Sequence, residues 1–417
     1  MREDKFTILK AIAIILVVLS HAGACGWINQ AIFIFHVPIF FFCAGYFFKT
    51  AYLTDERTYV VHRIKGLYFP FVRWSLFFLL IHNLLFYTGI LNETFGNAAG
   101  GVTHPFTWHT FCQHAWSIVF NMSGYDTFLC GTFWFFRAFL LSSLAYLVIF
   151  KLIVKVRPQL SDKSVGWIIL LLSLALMTWK TLEGLNITGV AQGGSRELTG
   201  VGFMAMGFLV RRYNVVDRLN GLTVLPFAAF LVLAATYFPS AMYWRPNFVQ
   251  FIKLPLAAFS GIMFCLWIAK WLNTHTRYIK TGLIYIGDRT LYIFAFHLVA
   301  FKLVSAMKVA WYGLPWLAVG GHPYVMEPTN NAFWVMMYLV VGTGFPLLWL
   351  YGYQKLSTKY MITNRQLLMW LITLCLIIYK ILRFVIHKII VILKNLTKQI
   401  WTLIKDVVNA SSVKDEG

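Results

Sequence analysis

The sequence predicts an all-α protein that crosses a membrane about ten times. Its 417 residues are 59% hydrophobic and only 12% charged, whereas soluble domains are about 25% charged. Apolar runs long enough to span a bilayer recur along the chain, and lysines and arginines gather in alternate segments between them. This composition excludes a soluble globular enzyme, and the scarcity of charge excludes a disordered chain.

Ten apolar stretches approach the length of about 20 residues that a helix needs to cross a bilayer. Glycine and proline inside some of them are compatible with membrane helices, because neighbouring helices satisfy the backbone groups that these residues leave unpaired. The predicted spans cover residues 6–22, 33–50, 67–90, 132–150, 165–179, 198–210, 222–238, 249–269, 283–304 and 332–352.

The distribution of basic residues predicts the orientation of these spans. With the N-terminus in the cytoplasm, the inner segments hold 19 lysines and arginines, the outer segments hold 5, and the loop 91–131 holds none. The first apolar run is not expected to be a cleaved signal peptide, because its removal would reverse this alternation. The basic residues that give the net charge of +21 lie between apolar runs, so they indicate orientation in a membrane and do not indicate a nucleic-acid partner. An even number of spans places both termini in the cytoplasm.

The sequence divides into a transmembrane domain, residues 1–360, and a basic tail, residues 361–417. Basic side chains in the tail recur at steps of three, four and seven residues, which places them on one stripe of a helix that is otherwise apolar. Such a helix is typical of one that lies on the anionic lipids of the cytoplasmic leaflet. An eleventh span over 366–386 is the alternative. The stripe consists of Lys380, Arg383, His387, Lys394, Lys398 and Lys405.

Ionisable residues inside the first span are candidates for function, because charge within a bilayer is costly. Lys10 and His21 are eleven residues apart, and eleven helical steps of about 100° bring them within about 20° of one face. About 16 Å of helix axis separates them. One face thus presents a cation near one end and an imidazole near the other. The alternative is that Lys10 extends to the inner headgroups and His21 caps the helix.

Further ionisable groups lie at the edges of other spans. His36 and His297 fall in the outer half of the membrane by topology, where an imidazole can transfer protons. Arg137 lies about one turn inside the fourth span and needs a partner. Arg63 and Lys65 form a basic pair at the cytoplasmic mouth of the third span, where they can hold phosphates or simply contribute to the positive-inside bias.

The sequence contains no pattern typical of a metal site. His104, His109 and His114 are spaced by five residues, which turns neighbours about 140° apart on a helix. No Cys-x-x-Cys pair is present, so neither a zinc site nor a disulfide scaffold is expected. A single disulfide between Cys112 and Cys130, which fall in one outer loop, is an open alternative.

Several segments together resemble the acyltransferase-3 family of integral membrane O-acyltransferases. They follow one another in order between residue 8 and about residue 300, and the predicted count of ten spans agrees with that family. The segments are ILKAIAIILVVLSHAG, FHVPIFFFCAGYFF, RIKGLYFPF, FWFFRAFLL and YIGDRTLYIFAFHL.

The resemblance implies transfer of an acyl group, usually acetyl from acetyl-CoA, to a hydroxyl of an envelope or exported glycan, with no permanently bound cofactor. It also implies a bacterial inner-membrane protein, and it maps the basic-plus-histidine motif of the family onto Lys10 and His21. Two departures stand out. Many members have arginine where this chain has Lys10. Where members often have the pattern Arg-x-x-Arg, this chain has Arg63 and, three residues later, Gly66, so that Lys65 is the candidate substitute for the second arginine.

These expectations combine into one hypothesis. The CoA phosphates contact Lys10, Arg63 and Lys65, and His21 acts as general base or carries the acyl group as nucleophile. His36, Arg137 and His297 bind substrate, the last two by polarising the thioester carbonyl or positioning the glycan. The alternative function is a transporter or flippase for a polysaccharide or lipid-linked sugar, with the same residues lining its pathway.

Overall fold

The computed structural model describes residues 3–96 and 104–359, which form α-helices without any β-strand. The predicted all-α class is therefore confirmed. Residues 1–348 form one compact unit. The predicted tail at 361–417 and the alternative span at 366–386 lie outside the described residues. The helices are α1 Asp4–His21, α2 Gly26–Phe35, α3 Pro38–Tyr46, α4 Glu56–Arg63, α5 Phe69–Tyr87, α6 Trp108–Asn121, α7 Thr127–Cys130, α8 Trp134–Val156, α9 Asp162–Leu182, α10 Ser195–Arg212, α11 Val215–Arg218, α12 Leu225–Tyr237, α13 Phe248–His275, α14 Tyr278–Gly287, α15 Thr290–Tyr312 and α16 Ala332–Lys359.

Helical segments occur at all ten predicted spans, and seven are long and apolar enough to cross a membrane. Of the remaining three, α12 has only 13 residues, whereas α1 and α10 have 18 each and carry several charged side chains. The number ten therefore stays a prediction. The seven are Gly26–Tyr46, Glu56–Tyr87, Trp134–Val156, Asp162–Leu182, Phe248–His275, Thr290–Tyr312 and Ala332–Ser357.

Three predicted spans differ from the structure where the helix is interrupted. The second is divided between α2 and α3, because Pro38 has no backbone N–H and begins a new helix. The third begins earlier, at Glu56, and contains a π-helical turn at Ile64–Tyr68, ahead of Pro70. The ninth is interrupted between α14 and α15, so that α15 begins at Thr290. The first two interruptions lie close to predicted site residues, namely His36 and the pair Arg63 and Lys65.

Side chains that accept hydrogen bonds from the backbone fix where several helices begin. Thr107 accepts a hydrogen bond from the backbone N–H of Thr110 at the start of α6, and Ser161 accepts one from Ser164 at the start of α9. Asn247 and Gln250 form a reciprocal capping box before α13. These residues satisfy backbone donors that have no partner within the helix itself.

Helix α10 packs closely against α3, α8 and α9, and glycine makes the contact with α3 possible. A Cβ atom on Gly45 would overlap the backbone carbonyl of Met204, and one on Gly207 would overlap the carbonyl of Phe42. Small residues let membrane helices approach to backbone distance. Cys112 and Cys130 are both free thiols, so the alternative disulfide between them is not formed.

Candidate active site

A cavity of about 570 Å³ lies among α1, α3, α4, α8 and α15, with the segment before α13 closing one side. We call it the central cavity. Its walls are largely aromatic and aliphatic, as is typical of small-molecule sites. Of the seven predicted site residues, four line it and three do not. The four predicted residues that line the cavity are Lys10, His21, His36 and Arg63, and the three that do not are Lys65, Arg137 and His297.

The hydrogen bonding of His21 determines which ring nitrogen is available for chemistry. Nδ1 lies 2.8 Å from the carbonyl oxygen of Val17, one turn earlier in α1. Because a carbonyl only accepts, Nδ1 must carry the hydrogen, and the neutral ring then has its lone pair on Nε2. His21 can therefore accept a proton or attack an electrophile through Nε2.

His36 has the same arrangement at the junction of α2 and α3. Its Nδ1 donates to the carbonyl oxygen of Ile32 at 2.6 Å, so Nε2 again holds the lone pair. The side chain is buried and lines the central cavity. The end of the cavity formed by His21 and His36, which we call the histidine end, thus contains two imidazoles with the same tautomer.

His297 lies directly behind His21. The ring centroids are 5.2 Å apart, and Nδ1 of His297 lies within hydrogen-bonding distance of the carbonyls of Ile293 and Phe294, at 3.1 and 2.9 Å. The side chain is fully buried, and its Nε2 has no hydrogen-bond partner within the described residues. His297 therefore supports the wall of the cavity without lining it.

A fourth histidine in this region, His322, was not predicted. It lies in the segment between α15 and α16, next to the fully buried Phe128 ring at 5.1 Å. Burial, together with the charges of Lys302 and His21, lowers the pKa of His322 to about 3. The ring is therefore neutral near pH 7. Nothing in the local sequence pattern distinguishes it, because it follows two glycines in a connecting segment.

The other end of the central cavity is basic. Lys10, His62 and Arg63 line it, and the Arg63 guanidinium lies over the rings of Tyr59 and Phe139 at 5.0 and 5.2 Å. Among the described residues, no aspartate or glutamate lines the cavity. Two cationic side chains, with no acidic residue in the lining, favour an anionic ligand. We call these three residues the basic end.

Lys65 does not share this position, although it is only two residues from Arg63. It lies within the π-helical turn Ile64–Tyr68 and is exposed. Pro70 follows and cannot donate the hydrogen bond that would continue a regular α-helix. The wider turn changes the angle between successive side chains, so Lys65 is absent from the cavity lining.

Arg137 has a structural partner that the sequence pattern did not indicate. Its Nε donates to Oε1 of Glu197 at 3.1 Å, and both side chains are buried. Longer contacts of 3.4 Å reach the carbonyl oxygen of Met122 and Oε1 of Gln192. The charge of Arg137 is thus neutralised within the protein, outside the central cavity.

Arg196, which was not predicted, adds a cation to the cavity lining where α10 begins, in a segment that the distribution of basic residues predicts to lie outside. Its guanidinium lies 3.7 Å from the centroid of the Trp134 ring, and both residues line the cavity. The available signal in the sequence was its position as one of only five basic residues in the outer segments. The cavity thus joins a basic end to two imidazoles and an arginine, a set suited to holding an anionic donor while a base acts on an acceptor.

One comparison with known proteins identifies the chain. A family model described as an acyltransferase domain, Acyl_transf_3, matches residues 4–350. The chain belongs to the acyltransferase-3 family. It is a membrane acyltransferase, and the matched residues of this acyltransferase-3 domain include every residue that lines the central cavity. No curated protein and no solved structure matches the chain.

Proposed function

We propose that this acyltransferase moves an acyl group, usually acetyl, from acyl-CoA to a hydroxyl of an envelope or exported glycan. The observation that carries the proposal is a single cavity with a basic end and a histidine end. The two ends lie along one helix, since Lys10 and His21 both belong to α1 and both line the cavity. About 16 Å of axis between them leaves room for an extended donor.

The donor would bind with its phosphates at the basic end. Lys10 and Arg63 supply fixed positive charge there, and His62 adds donors. The apolar side chains of Ile14 and Val17 follow α1 toward His21, so they offer a surface for the pantetheine arm. The thioester would then lie beside the imidazoles. Acyl-CoA is a substrate in this scheme, and no resident cofactor is required.

His21 would act through Nε2 in one of two ways. As a general base, it removes the proton from the glycan hydroxyl while the oxygen attacks the thioester carbonyl. The C–S bond breaks, and the imidazolium returns the proton to the CoA sulfur. As a nucleophile, Nε2 attacks the carbonyl carbon, the C–S bond breaks and CoA leaves as the thiolate; the glycan hydroxyl oxygen then attacks the acyl carbon, the C–N bond to Nε2 breaks, and the hydroxyl proton passes to the CoA thiolate. His36 would orient the acceptor, and His297 would hold the His21 ring.

The proposed orientation places the basic end toward the cytoplasm of a bacterium, where acyl-CoA is made, with both termini on that side. The excess of 19 over 5 basic residues in alternate segments supports it. The glycan, free or linked to a lipid, would enter at the histidine end. The protein would then reside in the inner membrane, in contact with anionic lipids of the cytoplasmic leaflet.

The test uses membrane vesicles that contain the protein and receive radiolabelled acetyl-CoA at the cytoplasmic face. We expect label in glycan with the wild type and a loss of about 10²–10⁴-fold in rate for His21→Ala. His109→Ala is the matched control, because His109 is exposed on α6 and does not line the cavity.

Two outcomes would contradict the proposal. Equal transfer by the wild type and His21→Ala would remove His21 from the chemistry. No transfer by the wild type, together with glycan export that depends on the protein, would favour the transporter. Omitting the glycan and denaturing the protein at neutral pH separates the two chemical routes, because only the nucleophilic route leaves label on the protein.

A further inference from the structure

Arg196 occupies a position that helix stability does not explain. It is the second residue of α10, where the helix dipole is positive and a cation is unfavourable. The preceding residues, Gly193 and Gly194, have positive φ angles of 77° and 82°, which turn the chain sharply into the helix. A basic residue at this point suggests a ligand for its charge.

The charges around Arg196 do not balance. Arg137 and Arg196 lie near one carboxylate, Glu197, and the carboxylate is bonded to Nε of Arg137 at 3.1 Å. Oε1 of Gln192 lies between the two guanidinium groups, 2.9 Å from Nη1 of Arg196 and 3.4 Å from Nη2 of Arg137. Within the part of the chain that the structure describes, Arg196 has no ion-pair partner. One positive charge is therefore left at the cavity.

The guanidinium is nevertheless held in place. Nε donates to the carbonyl oxygen of Met242 at 2.9 Å, and the plane lies over the Trp134 ring. Of the five N–H groups of an arginine, these contacts and the bond to Gln192 use two. Three remain for a ligand, and because the group is already oriented, binding would lose little side-chain entropy.

We propose that Arg196 binds an anionic group of the acceptor and thereby makes this enzyme select an acidic glycan. The inference rests on the proposed function and names the class of acceptor. A planar fork that retains two adjacent N–H groups recognises a carboxylate or a phosphate by two parallel hydrogen bonds. The anion could belong to a uronic acid of the glycan or to the phosphate of a lipid carrier. The acceptor end and the donor end of the cavity would then each have a cationic anchor.

The experiment compares three acceptors in proteoliposomes that contain the full chain and acetyl-CoA. The acceptors are a neutral oligosaccharide, the same oligosaccharide with one uronate, and the same oligosaccharide with one phosphate. For the wild type we expect kcat/KM to be at least about tenfold higher for one of the two acidic acceptors, since a buried charged hydrogen bond contributes about 1.5–3 kcal/mol. The acceptor that is preferred identifies the source of the anion.

Arg196→Gln should raise KM for the preferred acidic acceptor by about tenfold or more and KM for the neutral acceptor by much less, so that the preference for the acidic acceptor is lost. Arg196→Lys should retain part of the preference, because it keeps the charge and loses the fork. Arg245→Gln is the matched control: Arg245 also lies over a tryptophan, Trp244 at 4.5 Å, but it is exposed and does not line the cavity.

Three results would overturn the inference. The first is equal use of neutral and acidic acceptors by the wild type, and the second is an unchanged preference in Arg196→Gln. The third is an equal loss of kcat/KM with all three acceptors in an Arg196→Gln protein whose melting temperature matches that of the wild type. If Arg196→Gln unfolds, Arg196→Lys provides the comparison, and a preference equal to that of the wild type would then overturn the inference. Failure of the wild type to acylate any acceptor would instead overturn the proposed function, so the two failures are distinguishable.

Discussion

The rings of His21 on α1 and His297 on α15 lie 5.2 Å apart, with an angle of 55° between their planes. The two residues are 276 positions apart in the sequence, and each ring is held by a carbonyl of its own helix. Rotation of the His21 ring away from the cavity would therefore bring it against His297. The position of the proposed base depends on packing between the two helices.

We expect His297→Gln to lower kcat by about 10²-fold while KM for acyl-CoA stays unchanged, because misplacing a reacting group by about 1 Å has an effect of this size. Initial rates over a range of acyl-CoA concentrations measure both constants. His114→Gln serves as the control, since the His114 ring is bonded to the carbonyl of Gly124 in a different part of the chain. An unchanged kcat in His297→Gln would show that His21 needs no such support.

The two basic residues that the sequence paired should differ in function. Arg63 lines the cavity and Lys65 is exposed outside it. We expect Arg63→Ala to raise KM for acyl-CoA by about tenfold or more, because a charged hydrogen bond to a phosphate contributes about 1.5–3 kcal/mol. Lys65→Ala should leave KM nearly unchanged. The comparison uses full-length protein in proteoliposomes at low ionic strength, where the contrast between the variants is largest.

A similar rise in KM for both variants would mean that phosphates are attracted by the general positive charge of this segment. In that case the central cavity would not define the donor site. Added salt gives an independent measurement, because it should raise KM for acyl-CoA more in the wild type than in Arg63→Ala.

The sequence predicted which residues share one face of a helix, but it did not predict the contacts between side chains on different helices. Lys10 and His21 share a face because eleven regular steps of α1 separate them, and both line the cavity. Regular periodicity could not predict the separation of Arg63 from Lys65, because a π-helical turn lies between α4 and α5. The partner of Arg137 follows it by 60 residues, on another helix, where no local pattern identifies it. Arg196 was overlooked because its charge was counted only for orientation.

The buried pair of Arg137 and Glu197 gives a prediction about stability. Arg137→Met should lower the free energy of unfolding by about 3–5 kcal/mol, because it leaves the carboxylate buried without its partner. The double variant Arg137→Met with Glu197→Leu should recover most of this loss. Denaturant unfolding in detergent micelles measures the three proteins.

Lys151 provides the matched control for this cycle. It forms an ion pair with Glu56, but its side chain is 48% exposed, so Lys151→Met should change the stability by no more than about 1 kcal/mol. If the double variant is no more stable than Arg137→Met alone, the arginine stabilises the fold through packing and not through its charge.

The contact between α3 and α10 gives the last prediction. Because a Cβ atom on Gly207 would overlap the carbonyl of Phe42, Gly207→Ala should push the two helices apart and lower the free energy of unfolding by about 1–3 kcal/mol. The shift should also reduce acyl transfer, since α3 carries Phe40, Cys43 and Ala44 into the cavity wall. Gly282→Ala on α14 is the control, because nothing lies within 4 Å of the added Cβ and alanine favours the helix. Equal stability of the two variants would mean that the α3–α10 contact can adjust to a methyl group, and the cavity would then tolerate more movement than the glycines indicate.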